Sequence, residues 1–316
     1  MLWLGAIVLS EFLFRSAPFA SCHASTIVES RKGTLLAAWF GGSHEGANDV
    51  AIYLTRREDG DWSAPVAIAR GAPNESCYNP VLFQPRRGPL MLFYKAGREP
   101  AKWHGMMMTS KDDGKSWTIP AALPPGIIGP VKNKPLELDD GSIYCGSSDE
   151  SDGWTIHFEW TRDLGKSWER TAPVNSPVDF DAIQPAVMKG RNHRLIAVGR
   201  TQQSRVFFTA SEDGGKSWDP ITLLDVRNPD SGLDAVGLTD GRFLMVFNDS
   251  VQNRTPLEVA VSSNGTDWKN VLTLESDPGE YSYPAVIQTR DGLVHITYTW
   301  NRKRIRHVVL DPKELR

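Results

Sequence analysis

The sequence predicts an all-β fold, a six-bladed β-propeller whose blades each contain four antiparallel strands. Two repeated elements carry this prediction: a turn that ends in tryptophan, and a buried strand that follows a short turn. No segment shows the 3.6-residue hydrophobic period of an amphipathic helix. A repeat near 50 residues with strand-like flanks is typical of propellers and solenoids.

The first repeated element, here called the box turn, reads S-K-D-D-G-K-S-W in its clearest copy. Five copies occupy residues 57–62, 110–117, 161–168, 211–218 and 262–268, of which the first is worn and the last is one residue shorter. Successive tryptophans are 50 to 55 residues apart. An Asp or Asn in such a turn accepts hydrogen bonds from backbone N–H groups, and Gly supplies the positive φ. We expect structural turns without catalytic roles, with each Trp packed on its own blade.

The second repeated element occurs six times, at residues 33–40, 88–95, 141–148, 193–200, 241–248 and 292–299. A short strand, often opened by proline, precedes each copy, and a third strand follows it. The box turn and a fourth strand complete a blade. The last blade, residues 281 to about 311, lacks a fourth strand. We therefore expect the N-terminal segment 11–16 to complete it and close the ring, which removes the exposed sheet edges.

Length alone would allow one or two domains, but the repeat runs nearly from end to end and favours a single domain spanning residues 1–316. The net charge of −3 predicts no nucleic-acid partner. The apolar segment 1–10 is too short to span a membrane and no basic residue precedes it, so we interpret it as an outer strand rather than a signal remnant. That interpretation favours a cytoplasmic location over export. Three cysteines do not form a disulfide framework, although one pair is compatible with export.

Repeat alignment locates a candidate binding site at the propeller axis. Equivalent positions in six blades form rings around that axis, and polar groups that converge on a concave surface indicate a ligand site. The residues at the entrances of the innermost strands are Ala24, Asn79, Lys134, Gln184, Asp234 and Tyr283. The residues at the ends of the second strands are Phe40, Lys95, Ser148, Arg200, Asn248 and Thr299. The alternative is that these side chains only cap strands and bind channel water.

Three loops add charged candidates. The loop 41–49 carries Glu45 and Asp49, and the loop 129–135 carries two lysines that suit a bound anion. Glu280 precedes Tyr281, and a carboxylate beside a phenol can take its proton. Each tyrosine can equally be a buried aromatic with a satisfied hydroxyl. The His residues are scattered and no Cys pair has ligand spacing, so we expect neither a metal nor another cofactor.

The box turns, the T-L-L-A strand at residues 34–37 and the late Tyr281-Ser282 pair resemble the sialidase (neuraminidase) superfamily, in its bacterial "predicted neuraminidase" branch of Asp-box (BNR) propellers. The resemblance covers nearly the whole chain. It implies a retaining glycosidase with a tyrosine nucleophile, an exception to the usual carboxylate pair. It also implies a glutamate that assists the tyrosine, an acid/base carboxylate on a blade-one loop, and three arginines that bind the substrate carboxylate.

Carried over residue by residue, the resemblance assigns the nucleophile to Tyr281, with Tyr283 in reserve. The acid/base falls on Glu45, which we prefer to Asp49. Two of the three arginines are matched by Arg200 and Arg254.

Two family positions are not matched. The remaining arginine aligns with His23, and the assisting glutamate aligns with Gln184, whose amide cannot take a proton. Glu280 or Glu159 can replace the missing base in principle. Lys132 or Lys134 can likewise replace the missing cation.

These assignments predict a sialidase-like glycoside hydrolase for a terminal acidic sugar, either sialic-type or uronic, so the expected partner is a carbohydrate with a carboxylate. Two alternatives stay open. In a polysaccharide lyase, His23, Tyr281 and Lys134 would act on a uronate, and the unsaturated product would absorb in the near UV. The other alternative is a glycan-binding propeller without catalytic activity.

Overall fold

The computed structural model describes residues 5–316, so the beginning of the apolar N-terminal segment, residues 1–4, lies outside the described residues. Within the described range, almost all regular structure is β-strand, with two short 3₁₀ helices at Pro100–Lys102 and Pro312–Glu314. No helix in this range has the length and apolar character needed to cross a membrane.

The strands form six sheets that follow one another around the ring. Ahead of blade one lies β1 (Ile7–Phe12). Blades one to three contain β2 (Ser21–Glu29), β3 (Leu35–Gly42), β4 (Ala51–Glu58), β5 (Asp61–Trp62) and β6 (Val66–Arg70); β7 (Ser76–Phe83), β8 (Leu90–Gly97), β9 (His104–Ser110) and β10 (Ala121–Ala122); and β11 (Leu136–Glu137), β12 (Ile143–Asp149), β13 (Thr155–Thr161) and β14 (Glu169–Arg170). Blades four to six contain β15 (Ala182–Lys189), β16 (Leu195–Thr201), β17 (Arg205–Ser211) and β18 (Thr222–Arg227); β19 (Asp234–Gly237), β20 (Phe243–Asn248), β21 (Leu257–Ser262) and β22 (Lys269–Glu275); and β23 (Tyr281–Gln288), β24 (Val294–Trp300) and β25 (Arg304–Leu310).

Neighbouring strands within each sheet pair antiparallel, and the predicted six four-stranded blades are confirmed. Blade one has β6 as its outer strand and β5 as an extra short strand. The ring closes as predicted, because β1 pairs with β25 as the fourth strand of blade six, with Ser10 opposite Val308. The closing strand is Ile7–Phe12, earlier than the predicted 11–16. The next two residues, Leu13 and Phe14, are buried in a cluster between blades six and one.

The box turns have the predicted internal hydrogen bonds. In the copy at 211–218, Asp213 Oδ1 accepts the N–H groups of Lys216 and Ser217, both at 2.9 Å. Ser211 Oγ accepts the N–H of Gly215 at 2.8 Å, and Gly215 has a φ of 93°. These side chains satisfy turn amides that the strand ladder leaves unpaired, so the boxes are structural elements.

The box tryptophans pack on the preceding blade, which corrects the expectation that each packs on its own. Trp218 of blade four stacks on Phe158 of blade three with ring centroids 3.9 Å apart. Trp168 of blade three meets Phe93 of blade two edge-on at 6.0 Å. The box turn follows the third strand, where the neighbouring blade leaves an apolar surface that its own sheet does not offer. The boxes therefore tie neighbouring blades together. Cys22, Cys77 and Cys145 are free and buried, each in a different hydrophobic cluster.

Candidate functional site

Four innermost strands, and the segment that leads into the innermost strand of blade three, each contain a residue in the left-handed conformation near the axis. These residues are Ala24, Asn79, Lys132, Gln184 and Tyr283, with φ between 41° and 79°. Strand pairing shifts by a bulge around this residue in blades one, two, four and six. A bulge redirects the side chains beside it, so the same distortion recurs where the strands approach the axis.

The entrance ring is predicted correctly in four blades and wrongly in two. In blade three Leu136 lies opposite Tyr144, a register that makes Lys132 rather than Lys134 the equivalent of Gln184. In blade five the register makes Gly232 rather than Asp234 the equivalent. The sequence alignment assumed that the proline, or the residue in its place, keeps one strand position. In blades three and five, the proline or the residue in its place lies two strand positions further along than in the other four blades.

Lys132 and Lys134 bond to other blades instead of facing a ligand. Lys132 Nζ donates to Asn133 Oδ1 at 2.9 Å and to the carbonyls of Leu233 and Pro284, which joins blades three, five and six. Burial lowers the pKa of Lys132 to about 7, while the three acceptors favour its charged form. Because an ammonium has three N–H groups, Lys132 has no donor left for a substrate.

Lys134 is occupied in the same way. Its Nζ lies 3.0 Å from both carboxylate oxygens of Asp234 and 2.8 Å from the carbonyl of Ala235. Asp234 also accepts the N–H of Val286 at 2.8 Å. Lys134 and Asp234, predicted as substrate-binding residues, therefore connect blades three, five and six. The idea that either lysine replaces the missing arginine is not supported by these contacts.

Tyr283 lies at the centre of a cationic cluster. The guanidinium carbons of Arg200 and Arg254 are each 5.4 Å from its ring centroid, and Lys132 Nζ is 5.9 Å away. The ring of His23 packs against it with centroids 4.2 Å apart. Gly232 gives the tyrosine room, since a Cβ there would lie 3.1 Å from its Cδ2 atom. The tyrosine face is thus surrounded by positive charge, an arrangement favoured by the ring quadrupole.

Tyr281, the first candidate for the nucleophile, lies elsewhere. Its side chain is buried in the core between blades five and six, with its ring 6.3 Å from that of Trp300. Burial, together with the charges of Glu275 and Asp277, raises its pKa. The bulge between Ser282 and Ala285 separates the directions of the two tyrosines, which a regular strand would place on one face. The structure therefore brings Tyr283, and not Tyr281, to the arginines.

Arg302 is a third arginine at this site, and the sequence analysis missed it. Its Nε donates to Glu280 Oε1 at 2.7 Å, and its Nη1 donates to Glu45. Arg254 Nη1 reaches the same Glu280 oxygen at 2.9 Å. Burial opposes the ionisation of Glu280, but the charges of Arg302 and Arg254 hold its pKa below the usual value. Glu280 therefore positions two arginines, and Glu45 is already ion-paired.

Arg302 also acts on His23, the residue found where the resemblance expects an arginine. Burial, and next the charge of Arg302, lower the pKa of His23 well below its usual value, so this imidazole is neutral. Its Nδ1 lies 2.9 Å from Thr299 Oγ1, which fixes the ring. Arg302 follows the end of β24 in the turn to β25. Extending the repeat alignment three residues beyond each second strand would have found it.

The acidic residues around the cluster fall into two groups. Asp49 accepts the N–H of Ser43 at 2.9 Å, and chiefly this bond lowers its pKa, so Asp49 holds its loop in place. Asp230 and Glu150, which sequence reasoning missed, lie near Arg200, with Asp230 Oδ1 3.5 Å from Arg200 Nη1. Burial raises the pKa of both carboxyls although Arg200 opposes it.

The other predicted residues have local roles or face no partner. Buried Lys95 donates to the carbonyl of Pro130 at 2.8 Å, and burial lowers its pKa to about 8. The Asn248 amide donates to the carbonyls of Pro256 and Tyr281. Asn79 is buried in the blade-two bulge, and Gln184 Oε1 has no hydrogen-bond partner within residues 5–316.

Two further features bear on the predicted chemistry. Glu159 is fully buried and accepts the N–H groups of Ile128 and Gly129, so it is bound within blade three and does not assist a tyrosine. Across the described part of the chain, no group of three or more His, Cys, Asp or Glu side chains is placed to hold a metal ion.

Comparison with solved structures identifies the same architecture elsewhere. A crystal structure of a protein of unknown function from Dyadobacter fermentans is 16% identical, with a TM-score of 0.83 over 97% of this chain and 99% of that chain. The NanB sialidase from Streptococcus pneumoniae is 13% identical, with a TM-score of 0.77 over 97% of this chain and 71% of that chain. A leech intramolecular trans-sialidase is 12% identical, with a TM-score of 0.79 over 98% and 71%. These likenesses establish the fold.

Among curated proteins none matches this chain. The family described as a BNR repeat-like domain matches residues 33–296, which is most of the sequence and includes five second strands and the start of the sixth. The resemblance to the sialidase superfamily is thereby confirmed. The chain belongs to the BNR repeat-like domain family of sialidase-superfamily propellers.

Proposed function

We propose that the chain is a sialidase-like glycosidase that binds the terminal sugar acid of a glycan at the propeller axis and releases it by hydrolysis. The observation that carries the proposal is the placement of Arg200 and Arg254 around the ring of Tyr283. Guanidinium groups bind carboxylates through paired, charge-assisted hydrogen bonds. A phenol among them meets the requirement for a tyrosine nucleophile beside a bound sugar acid.

In this mechanism Arg200, Arg254 and Arg302 bind the substrate carboxylate. The Tyr283 phenol loses its proton to solvent, and its oxygen bonds to the anomeric carbon while the bond to the leaving oxygen breaks. Water then attacks the anomeric carbon and breaks the bond to the tyrosine oxygen. The hydroxyl of that water stays on the sugar acid, its proton goes to Glu45, and the tyrosine oxygen is reprotonated from solvent. Glu45 supplies the proton to the leaving oxygen. In the free protein Glu45 is held by Arg302. We infer that the substrate carboxylate takes over Arg302 and frees Glu45 to carry that proton.

The test compares two tyrosines that lie two residues apart. Wild type, Tyr283→Phe and Tyr281→Phe are assayed on glycosides with sialic acid or uronic acid end groups, reading released sugar and near-UV absorbance. We expect release by the wild type and by Tyr281→Phe, and loss by Tyr283→Phe. Release that survives in Tyr283→Phe contradicts the mechanism. Near-UV absorbance without a hydrated sugar replaces the hydrolase with a lyase.

A second candidate function, glycan binding without turnover, is favoured by one observation. Gln184 occupies the position that the resemblance assigns to the assisting glutamate, and its amide cannot accept the phenol proton. A binding protein would retain affinity for sugar acids in Tyr283→Phe and would release no product from any glycoside. Calorimetric titration beside the assay separates this outcome from hydrolysis.

A further inference from the structure

A cavity of about 410 Å³ opens between blades two and three. One wall is the loop around Trp103 in blade two, and another is the linker 124–128, which contains two prolines and two isoleucines. Ser148, Glu150 and His157 also line it. Of these cavity residues, Ser148 and Glu150 also lie in or beside the cluster around Tyr283, here called the axial cluster, and the others do not.

The cavity contains an oriented histidine. His157 Nε2 lies 2.9 Å from Glu159 Oε1, and Glu159 also accepts the N–H groups of Ile128 at 3.1 Å and Gly129 at 2.6 Å. A carboxylate accepts, so a hydrogen lies on Nε2, and Nδ1 is the ring nitrogen that remains for a hydrogen bond to a ligand. Nδ1 makes no hydrogen bond within residues 5–316, on a ring that lines the cavity.

A second buried polar group also lacks a partner there. Ser148 is 3% exposed, lines the cavity, and its Oγ has no hydrogen-bond partner among the described residues. A buried hydroxyl without a partner costs free energy unless a ligand or water satisfies it. Ser148 is equivalent to Arg200 in its blade, and Glu150, two residues on, lies within electrostatic reach of Arg200. Glu150 thus lines the cavity and also lies near Arg200 of the axial cluster.

We propose that this cavity binds a neutral sugar unit, the one linked to the terminal sugar acid held at the axis. The inference rests on the proposed function for its connection to the axial site. Trp103 and the linker prolines provide apolar surface for the C–H face of a sugar ring. His157 Nδ1, Ser148 Oγ and Glu150 provide hydrogen-bonding groups for its hydroxyls. Ligand cavities commonly combine apolar walls with a few convergent polar groups, at volumes of roughly 300–1,000 Å³.

The first experiment blocks the cavity at its rim. Ala122 is an exposed residue of β10 that lines the cavity, so Ala122→Trp fills the space without disturbing the core. Ala67→Trp, at an exposed position on the outer strand of blade one, is the matched control. Calorimetry measures the Kd of free N-acetylneuraminic and glucuronic acids and of the same acids linked to a neutral hexose.

We expect the hexose-linked acid to bind the wild type about fivefold or more tightly than the free acid, a difference near 1 kcal/mol. Ala122→Trp should remove this advantage and leave the Kd of the free acid unchanged, while Ala67→Trp keeps both values. An advantage that persists in Ala122→Trp overturns the proposal.

The second experiment is independent of the axial site. Methyl β-D-galactoside and methyl β-D-glucoside, which carry no charge, are titrated while the indole N–H signal of Trp103 is followed by NMR, with Trp103→Phe assigning the signal. We expect a shift in the wild type and in Arg200→Ala, and none in Ala122→Trp. A wild-type signal that does not move overturns the cavity proposal. A moving signal combined with no binding of free acids overturns only the axial function.

Discussion

The propeller face that carries the box turns, the box face, and the face that carries the cluster around Tyr283, the axial face, use acidic side chains in opposite ways. On the box face, Asp213 is satisfied by its own turn, and the hydroxyl and N–H of Ser217 lower its pKa to about 2. On the axial face, Asp230 and Glu150 lie near Arg200, yet burial raises the pKa of each. At the exposed Asp213, hydrogen bonds from its own turn thus lower the pKa more than desolvation raises it. At Asp230 and Glu150, the charge of Arg200 does not offset the rise in pKa that burial causes.

The difference reflects how each face is assembled. A box turn contains its donors and acceptors within eight residues, so each copy folds on local information. The axial cluster joins His23 to Thr299, 276 residues apart in the chain, and Arg302 to Glu45, 257 residues apart. Only the closed ring brings these groups together. Changes on the two faces should therefore affect different properties, stability on the box face and recognition on the axial face, with the buried lysines as an exception.

The largest expected effect is a loss of stability on replacing the buried Lys132. Lys132→Met removes an ammonium that joins three blades and leaves three buried acceptors without a donor. We expect a loss of about 3 kcal/mol in the free energy of unfolding, since each unsatisfied buried group costs about 1–3 kcal/mol and partial relaxation offsets some of that cost. Urea denaturation measures it. Lys111→Met, at an exposed lysine of a box turn, is the control and should stay within about 0.5 kcal/mol. Equal stability of the two variants would contradict the role of Lys132 in joining the three blades.

The next effect separates recognition from stability. Arg200→Ala removes a guanidinium that faces Tyr283 and should weaken the binding of free sugar acids about 10- to 100-fold, the value of one or two charge-assisted hydrogen bonds. Calorimetry with N-acetylneuraminic and glucuronic acids measures the change. Arg205→Ala, at a partly exposed arginine of the same blade that pairs with Asp225, should leave the Kd unchanged. If both variants bind like the wild type, the anion is bound elsewhere.

A smaller effect is expected on the box face. Asp213→Ala should cost roughly 1 kcal/mol of stability, as the loss of a helix cap of similar design does, and should not alter sugar binding. The folded-state pKa of Asp213 is depressed from 3.8 to about 2. The stabilisation is therefore complete above about pH 4 and is lost as the pH falls through about 2. Thermal unfolding across this range measures it, with Asp219→Ala on the same blade as control. If the loss of stability in Asp213→Ala did not depend on pH, a group other than the Asp213 carboxylate would be responsible for it.

The features that the sequence predicts also divide into local ones, which it predicts well, and long-range ones, which it predicts poorly. Repeated local signals were sufficient for the six blades, the second strands and the closure of the ring by β1. They were insufficient for the box tryptophans, because a period does not state which neighbouring blade a side chain contacts. A bulge at Tyr283 exchanged the roles expected of two tyrosines, and a shifted landmark misplaced Lys134 and Asp234 in the entrance ring. Arg302 lies in a turn between strands, where the repeat carries no constraint.

The smallest effect tests whether the acids of the axial face oppose the ligand. Ionised Glu150 repels a bound carboxylate and competes for Arg200, so binding of free sugar acids should tighten as the pH falls from neutral towards the raised pKa of Glu150. Glu150→Gln should tighten binding at pH 7 about two- to fivefold and reduce that pH dependence, since a like charge a few ångströms away contributes up to about 1 kcal/mol. Calorimetry at several pH values measures both. Asp152→Asn, at an exposed position in the same loop, should behave like the wild type. Weaker binding by Glu150→Gln would mean that this carboxylate accepts a hydrogen bond from the sugar acid, and the axial face would then resemble the box face in using its acids as acceptors.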